Sequence, residues 1–518
     1  MKLLILARRI SQVSFFALFI YILWSTTYPL TGNIPTSTFF IADPLIMVMT
    51  SIAERTLLTG IVVSLLLLVA TAILGRFFCG WICPLGSSID CIGMLRKKHS
   101  FHHGARFTKI RYIKYGILGL IMVCALLGIQ YAWIFDPLVI MGRFVSLNLI
   151  PTVTLIIDTA FIKLIQSGDL YNHPIVDFYR MLKSSFLGIK PLYFSNSVLI
   201  FVFFLMVLIP ALLIKRFWCR AICPLGALYA SVSRFSLLKR HVSDCPACGT
   251  CVSDCRMGAI YSDRSYNKKE CILCMDCVYD CPASATSFRF NIPAVLRRSQ
   301  KNTQHNASYA ISRRQFFFLN TVWLLFGARR VRNRMRRRGQ TSDLVIRPPG
   351  SLKEPTFINR CIRCGNCMKV CITNGLQPVI LEAGITGIWT PQLIPEIGYC
   401  EYNCTLCGSV CPTGAIPALS LEHKQQQRLG LAVINHQICL PWAEGKECIV
   451  CEEHCPVHTK AIKLKPEKTV TGTLYKPVID QSLCIGCGIC QNKCPTRPER
   501  AIHVIPIKDE RLPTSSSG

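Results

Sequence analysis

Cys484-Ile485-Gly486-Cys487-Gly488-Ile489-Cys490-Gln491-Asn492-Lys493-Cys494-Pro495 is the stretch that decides the fold of this region. Three thiols stand two residues apart. A fourth follows after three more residues, with a proline behind it. Thiols this close are poorly placed for separate disulfides and well placed to surround one metal cluster. The chain has 518 residues and 30 cysteines, most of them in such groups. A secreted disulfide scaffold of that cysteine content would be a short chain. The run is also the cubane iron–sulfur spacing rather than that of a structural zinc site.

Working outward, the same spacing recurs. Cys245, Cys248, Cys251 and Cys255 form one motif, and Cys271, Cys274, Cys277 and Cys281-Pro282 form the next. In the bacterial two-cluster ferredoxin pattern each fourth cysteine ligates the other cluster. Cys245, Cys248, Cys251 and Cys281 are therefore expected to hold one cluster, and Cys271, Cys274, Cys277 and Cys255 the other. Arg256 stands where proline is usual, without removing a ligand. A second module carries four motifs: Cys361/Cys364/Cys367/Cys371, Cys400/Cys404/Cys407/Cys411, Cys439/Cys448/Cys451/Cys455 and Cys484/Cys487/Cys490/Cys494. The spacing leaves open which motifs exchange fourth ligands; the expectation is outer with outer and inner with inner. The steps Ala259-Ile260, Ala415-Ile416, Ala461-Ile462 and Ala501-Ile502 read as the small strand of a ferredoxin half-unit. These motifs sum to about six [4Fe–4S] clusters.

The N-terminal half is different. Hydrophobic residues make up 51% of the chain. Apolar runs near Val13–Leu30, Leu57–Phe78, Tyr112–Phe135 and Ser197–Ile214 predict four transmembrane helices. Val145–Ile165, interrupted by Asn148, Pro151, Asp158 and Lys163, reads as interfacial or re-entrant. Lys+Arg exceeds Asp+Glu by 30, and the excess gathers beside the apolar runs. One group is Lys2, Arg8 and Arg9; a second is Arg96, Lys97, Lys98, Arg106, Lys109 and Arg111; a third is Lys215, Arg216, Arg220, Arg234, Lys239 and Arg240. All three belong in the cytoplasm by the positive-inside rule, which points to a lipid bilayer and not to nucleic acid.

This half also repeats. Phe77-Phe78-Cys79-Gly80-Trp81-Ile82-Cys83-Pro84-Leu85-Gly86 matches Phe217-Trp218-Cys219-Arg220-Ala221-Ile222-Cys223-Pro224-Leu225-Gly226, and Asp43-Pro44-Leu45 matches Asp136-Pro137-Leu138. Cys79, Cys83, Cys219 and Cys223 would meet to hold a seventh cluster, act as redox thiols, or simply end two helices at a proline. Asp43 and Asp136 read as helix N-caps before Pro, with proton acceptance near a quinol as the functional alternative. Cys91 and Cys124 have no cysteine partners in these patterns and read as packing residues. No His falls inside the four runs, so a bis-His haem is unsupported. No G-x-G-x-x-G opens a helix after a strand, so a nicotinamide site is unsupported too.

Between the halves, residues 291–340 hold eleven Arg, one Lys and no acidic residue, with Ser312-Arg313-Arg314-Gln315-Phe316-Phe317 in the middle. The predicted organisation is an α-helical membrane domain with two C-x-x-x-C-P motifs (1–240), a 2[4Fe–4S] ferredoxin domain (241–290), a basic linker with a twin-arginine-like signal (291–345) and a 4[4Fe–4S] domain (346–510). Both ferredoxin modules are of the α+β bacterial-ferredoxin-like class.

On these features the chain resembles two families joined end to end. Residues 1–290 look like NapH-type (NapH/MauN) membrane ferredoxins. Residues from about 312 look like NapG-type (NapG/MauM) four-cluster ferredoxins. The second likeness rests on the twin-arginine motif, Arg347-Pro348-Pro349-Gly350, Leu429-Gly430-Leu431-Ala432-Val433 and the eight-residue gap from Cys439 to Cys448. The x-x-x spacing between Cys400 and Cys404 and the internal position of the twin-arginine motif depart from it. The resemblance implies a polyferredoxin of the bacterial inner membrane. It would carry electrons from menaquinol or ubiquinol to redox partner proteins and a periplasmic reductase, as part of a quinol dehydrogenase. The first ferredoxin module would be cytoplasmic. The second would be periplasmic by the twin-arginine signal or cytoplasmic by the arginines behind it. An electron-donating maturation factor for a metalloenzyme and a membrane redox sensor are the alternative functions.

Overall fold

The computed structural model describes residues 2–28, 30, 35, 37–95, 110–168, 173–188, 192–290, 345–469 and 472–507. The twin-arginine-like motif and most of the basic linker lie outside the described residues, as do Arg96, Lys97, Lys98, Arg106 and Lys109. The chain divides into two compact units: Met1–Phe19, Phe39–Met141 and Phe204–Gly339 in the first, and Ile20–Thr38, Gly142–Phe203 and Gln340–Gly518 in the second.

The principal helices are α1 (Lys2–Trp24), α2 (Pro44–Glu54), α3 (Ile61–Leu74), α4 (Pro84–Met94), α5 (Ile113–Leu126), α6 (Pro137–Ser167), α7 (Ser197–Leu213) and α8 (Pro224–Val232). Among the described residues two helices, not four, are long and apolar enough to cross a membrane: Leu3–Trp24 within α1, and α6. The expected spans at Leu57–Phe78 and Tyr112–Phe135 shorten to 14 residues each in α3 and α5. At 1.5 Å per residue such a helix reaches only about 21 Å. Glycines in positive-φ conformations follow both, Gly75 at 101° and Gly128 at 80°. The run at Ser197–Ile214 yields the 17-residue α7.

The stretch Val145–Ile165 belongs to the continuous 31-residue α6, which has no break of the kind a re-entrant segment needs. A π-turn at Val145–Leu149 absorbs the interruption, and Pro151 falls at the start of the next α-helical segment. Asp158 is satisfied by the Tyr179 hydroxyl at 3.0 Å and Lys183 at 3.4 Å.

In the first unit the repeat is visible in the caps. The Asp43 carboxylate accepts the backbone N–H groups of Leu45 at 2.9 Å and Ile46 at 3.4 Å. Asp136 accepts those of Leu138 at 2.9 Å and Val139 at 3.0 Å. Cys83 and Cys223 likewise cap α4 and α8, their sulfurs accepting from Gly86 at 3.4 Å and Gly226 at 3.2 Å. After α8, strand β1 (Leu238–Val242) pairs antiparallel with β2 (Thr286–Phe290) and closes the first cysteine module between them.

The second unit is built on hairpins. Strands β3 (Leu376–Pro378) and β4 (Pro391–Leu393) pair antiparallel. Strand β5 (Gly430–Ile434) pairs with β8 (Ile502–Pro506), enclosing the hairpin of β6 (Ile462–Thr469) and β7 (Gly472–Ile479). All four Ala-Ile steps are buried. Ile462 and Ile502 open strands as expected, but Ile260 makes only an isolated bridge with Tyr266. Ala415-Ile416 forms no strand; it packs with Leu352, Phe357 and Cys361, and the Ala415 carbonyl accepts from the Leu352 N–H.

Helical residues of this unit anchor its cysteine loops. Arg143 of α6 lies 4.3 Å from the Trp389 ring centre and donates to the Arg363 carbonyl at 2.9 Å. Lys369 donates to the carbonyls of Leu23, Trp24 and Thr26 at the end of α1. Arg347 forms a buried two-point ion pair with Glu354 and also binds Thr390 and the Pro391 carbonyl. Removing one member of such a pair costs about 3–5 kcal/mol, which explains an arginine at the head of the Arg-Pro-Pro-Gly segment.

Candidate iron–sulfur sites

The second unit has four compact cavities, each bordered by four cysteines. Cys361, Cys364 and Cys367 share one with Cys411. Cys400, Cys404 and Cys407 share the next with Cys371. Cys439, Cys448 and Cys451 border a third with Cys494, and Cys484, Cys487 and Cys490 a fourth with Cys455. Three thiols thus come from one motif and the fourth from its neighbour. The expected exchange of outer with outer and inner with inner motifs is corrected: first pairs with second, third with fourth. Chain geometry supplies the reason. The β3–β4 hairpin returns the chain from Cys371 to Cys400, and the β6–β7 hairpin returns it from Cys455 to Cys484, so consecutive motifs fold against each other.

The donor set fits cubane clusters. Among the described residues no three His, Cys, Asp or Glu side chains converge as ligands of one metal ion; a cubane takes its thiolates at four separate irons. Burial pushes the thiols of Cys364, Cys451 and Cys487 up to about 12, so thiolates there require a cationic centre. Loop conformation supplies further fit. In the four strict C-x-x-C-x-x-C loops the residues on both sides of the second cysteine have positive φ: Ala247 and Gly249, Leu273 and Met275, Arg363 and Gly365, Gly486 and Gly488. Such turns gather N–H groups into a concave nest suited to an anionic cluster. Non-glycine residues there are strained and persist where a site over-determines them. The two motifs with altered spacing, beginning at Cys400 and Cys439, lack this double turn.

In the first unit Cys255 packs with Ala259 and Ile260 against Cys251, Cys271 and Cys277. Its charge is also felt at Cys274. The structure therefore brings Cys255 to the Cys271/Cys274/Cys277 triplet. The fourth-cysteine sulfurs accept similar backbone bonds, Cys255 from Ala259 at 3.1 Å and Cys281 from Ala285 at 3.3 Å. Cys248 is exposed, which makes its triplet the outward side of the module.

Cys79, Cys83, Cys219 and Cys223 are all buried and within electrostatic reach of one another. Burial pushes Cys219 up to about 11 and raises Cys83 and Cys223 well above an ordinary thiol. Two arginines stand beside them: Arg76, which the sequence reading did not single out, and Arg216, which it read only as a topology charge. Arg76 and Arg216 each precede their motif by one repeat position, and each reaches into the other copy. Arg216 donates to the Cys79 carbonyl at 2.7 Å and grips Asp90 through two bonds of 2.7 Å. Arg76 lies against Gly226 and pairs with Glu270 at 3.1 Å, next to Cys271. Extending the repeat alignment by one residue would have found both.

The repeat also breaks where the ferredoxin module docks. A Cβ on Gly80 would lie 2.3 Å from the Ile272 carbonyl oxygen, and Trp81 donates to the Leu273 carbonyl at 2.9 Å. Their counterparts Arg220 and Ala221 differ, and Arg220 packs instead on Gly258 near Cys255. The loop between Cys79 and Cys83 thus lies directly on the loop between Cys271 and Cys274. Asp43 and Asp136, besides capping helices, are both fully buried. Cys91 is exposed and Cys124 half-buried.

Neighbour pairing has a direct consequence for iron content. Cys361→Ala and Cys411→Ala are each expected to remove one cluster, roughly four irons. Because both residues border one cavity, the double variant should lose no more iron than either single variant. A loss of roughly eight irons in the double variant would place the two cysteines at different clusters.

Two family models match the chain. One, described as a 4Fe-4S binding domain, covers residues 56–102 and 197–243, each containing one C-x-x-x-C-P motif. The other, a 4Fe-4S dicluster domain, covers 446–497. The ferredoxin-type protein MauM of methylamine utilization from Methylophilus methylotrophus is 37% identical over 165 residues, 31% of this chain and 71% of that protein. The ferredoxin-type protein NapG of Escherichia coli is 34% identical over 173 residues, 32% of this chain and 73% of that protein. The ferredoxin-type protein NapH of Haemophilus influenzae is 26% identical over 302 residues, 54% of this chain and 88% of that protein. No solved structure matches. The chain belongs to the MauM/NapG family of ferredoxin-type iron–sulfur proteins, joined in one polypeptide to a NapH-type portion.

Proposed function

We propose that this protein is a membrane-attached electron relay with seven [4Fe–4S] clusters, carrying single electrons from the quinol pool toward a terminal reductase. Six clusters sit on the motif cysteines and the seventh on Cys79, Cys83, Cys219 and Cys223. The observation that carries the reading is the succession of four-cysteine sites in the second unit. Cys367 and Cys407 pack in one cluster of side chains, linking the first two sites. The Cys400 N–H donates to the Cys487 carbonyl at 2.8 Å, linking the second site to that of Cys484, Cys487 and Cys490. Cys490 in turn feels Cys451 of the last site. A wire needs such adjacency because tunnelling weakens steeply with distance. The clusters supply one-electron chemistry with little rearrangement. The protein's residues hold them apart from water and set their potentials through N–H bonds to sulfur.

Quinol as donor is the reading that the resemblance to NapG- and NapH-type proteins and the apolar helices support. A second reading, electron donation to a maturing metalloenzyme, is favoured by the likeness to MauM. The two differ in the acceptor and not in the relay. The twin-arginine-like motif supports a periplasmic second module, with the first ferredoxin module in the cytoplasm among the basic residues.

Anaerobically prepared protein in lipid nanodiscs should show cluster reduction, read by electron paramagnetic resonance, on adding a menaquinol analogue. Clusters that stay oxidised under excess quinol, yet are reduced by dithionite, would refute the quinol link. Alkaline phosphatase fused to the C-terminus should be active; a stable but inactive fusion would place the second module inside.

A further inference from the structure

The first unit contains a crevice of about 790 Å3 that none of the sites above uses. One wall is apolar, made by Leu3 and Leu6 of α1 and by Ile89, Gly93 and Met94 of α4. Leu3, Leu6 and Met94 are largely exposed, so the mouth of the crevice is apolar as well. The opposite wall is acidic: Asp254, Asp276 and Asp280 of the ferredoxin module. Each of these stands next to a cluster cysteine or between two. Asp254 precedes Cys255, Asp276 lies between Cys274 and Cys277, and Asp280 precedes Cys281. At the back, Arg216 borders the crevice and donates to the Cys79 carbonyl. The cavity therefore touches the surroundings of both ferredoxin sites and of the buried four-thiol site.

The charged groups are not equivalent. Asp90 is held by Arg216, by Arg256 at 3.1 Å and by Gln12 at 3.2 Å, which keeps its carboxyl well below the usual carboxylate range. Asp276 is paired with Arg8 at 3.3 Å and Arg256 at 2.5 Å. Asp254 has Lys215 at 3.7 Å. Cationic groups thus hold Asp90, Asp276 and Asp254 along the back of the crevice.

We propose that this crevice binds a membrane quinol, its hydroxylated ring at the acidic wall and its isoprenoid tail leaving past Leu3, Leu6 and Met94. The inference rests on the quinol reading above and locates it. Oxidation of one quinol breaks two O–H bonds and yields the quinone, two protons and two electrons. The electrons would pass one at a time to oxidised clusters held by the cysteines beside Asp254, Asp276 and Asp280. Both protons go to water at the open rim. A cavity of this size suits an amphipathic small molecule, and its apolar mouth suits a ligand delivered from lipid.

Gly93 provides a clean block, because a Cβ there would meet no atom within 4 Å and a larger side chain would project into open space. Gly116 on α5, outside the crevice, is equally open and serves as control. Full-length protein in nanodiscs would be photolabelled with an azidoquinone, the labelled peptides mapped, and quinol-driven cluster reduction timed. Wild type and Gly116→Trp should be labelled at the crevice and reduced alike. Gly93→Trp should lose the label and be reduced at least about tenfold more slowly, with unchanged iron content and full reduction by dithionite. Labelling and reduction of Gly93→Trp at the wild-type level, or wild-type label mapping elsewhere, would overturn the site. Crevice labelling without quinol reduction in wild type would sustain the site and refute the electron-donor reading.

Discussion

In the second unit each motif sets three thiols at one cavity and its fourth at a neighbour's, and that exchange governs how the cysteine loops fold. A fourth ligand can cross over only if the chain between two motifs turns back on itself. The β3–β4 hairpin does this for Cys371 and Cys411, and the longer β6–β7 hairpin for Cys455 and Cys494. In the first module β1 and β2 close the same kind of unit around Cys255 and Cys281. The small sheets exist to bring ligands together. Modules of this size bury little apolar surface, so cluster binding energy is expected to be part of their folding energy.

The buried thiols of the helical repeat obey a related logic. Four cysteines from two copies meet, each copy contributing a pair at the start of a helix. Arginines crossing from one copy to the other bring positive charge to a site that would become anionic with a cluster bound. One copy then departs from the repeat, Gly80 against Arg220, to accept a single ferredoxin module on an otherwise two-fold arrangement. Close approach of the Ile272 carbonyl to Gly80 keeps the Cys79–Cys83 and Cys271–Cys274 loops in direct contact. Without that glycine the two redox sites would have to move apart.

Much of the site was legible in the sequence, because thiol spacing is a local property. The triplets, the repeat, the Asp-Pro caps and the family likeness could all be read from neighbouring residues. Ligand exchange in the four-motif module was not, since it depends on hairpins whose effect is spatial. Helix length was misjudged for the opposite reason. Hydropathy registers Leu57–Phe78 as one run, whereas Gly60 and the positive φ of Gly75 cut it to 14 residues. Conversely, Pro151 and Asp158 suggested an interruption that a π-turn and a Tyr179/Lys183 pair accommodate. The Ala-Ile steps marked core positions reliably, but only two of the four lead into strands. Arg216, Glu270 and Lys369 carry no motif of their own, and their roles emerge only from what they touch.

The proposed relay rests on seven groups of four cysteines, each expected to grip a cubane. Iron and acid-labile sulfide counted per chain, in protein prepared without oxygen, test this most directly. The account predicts about 28 of each. A value near 24 would leave the helical thiols without a cluster, and an iron-free protein with its cysteines joined in disulfides would contradict the account entirely.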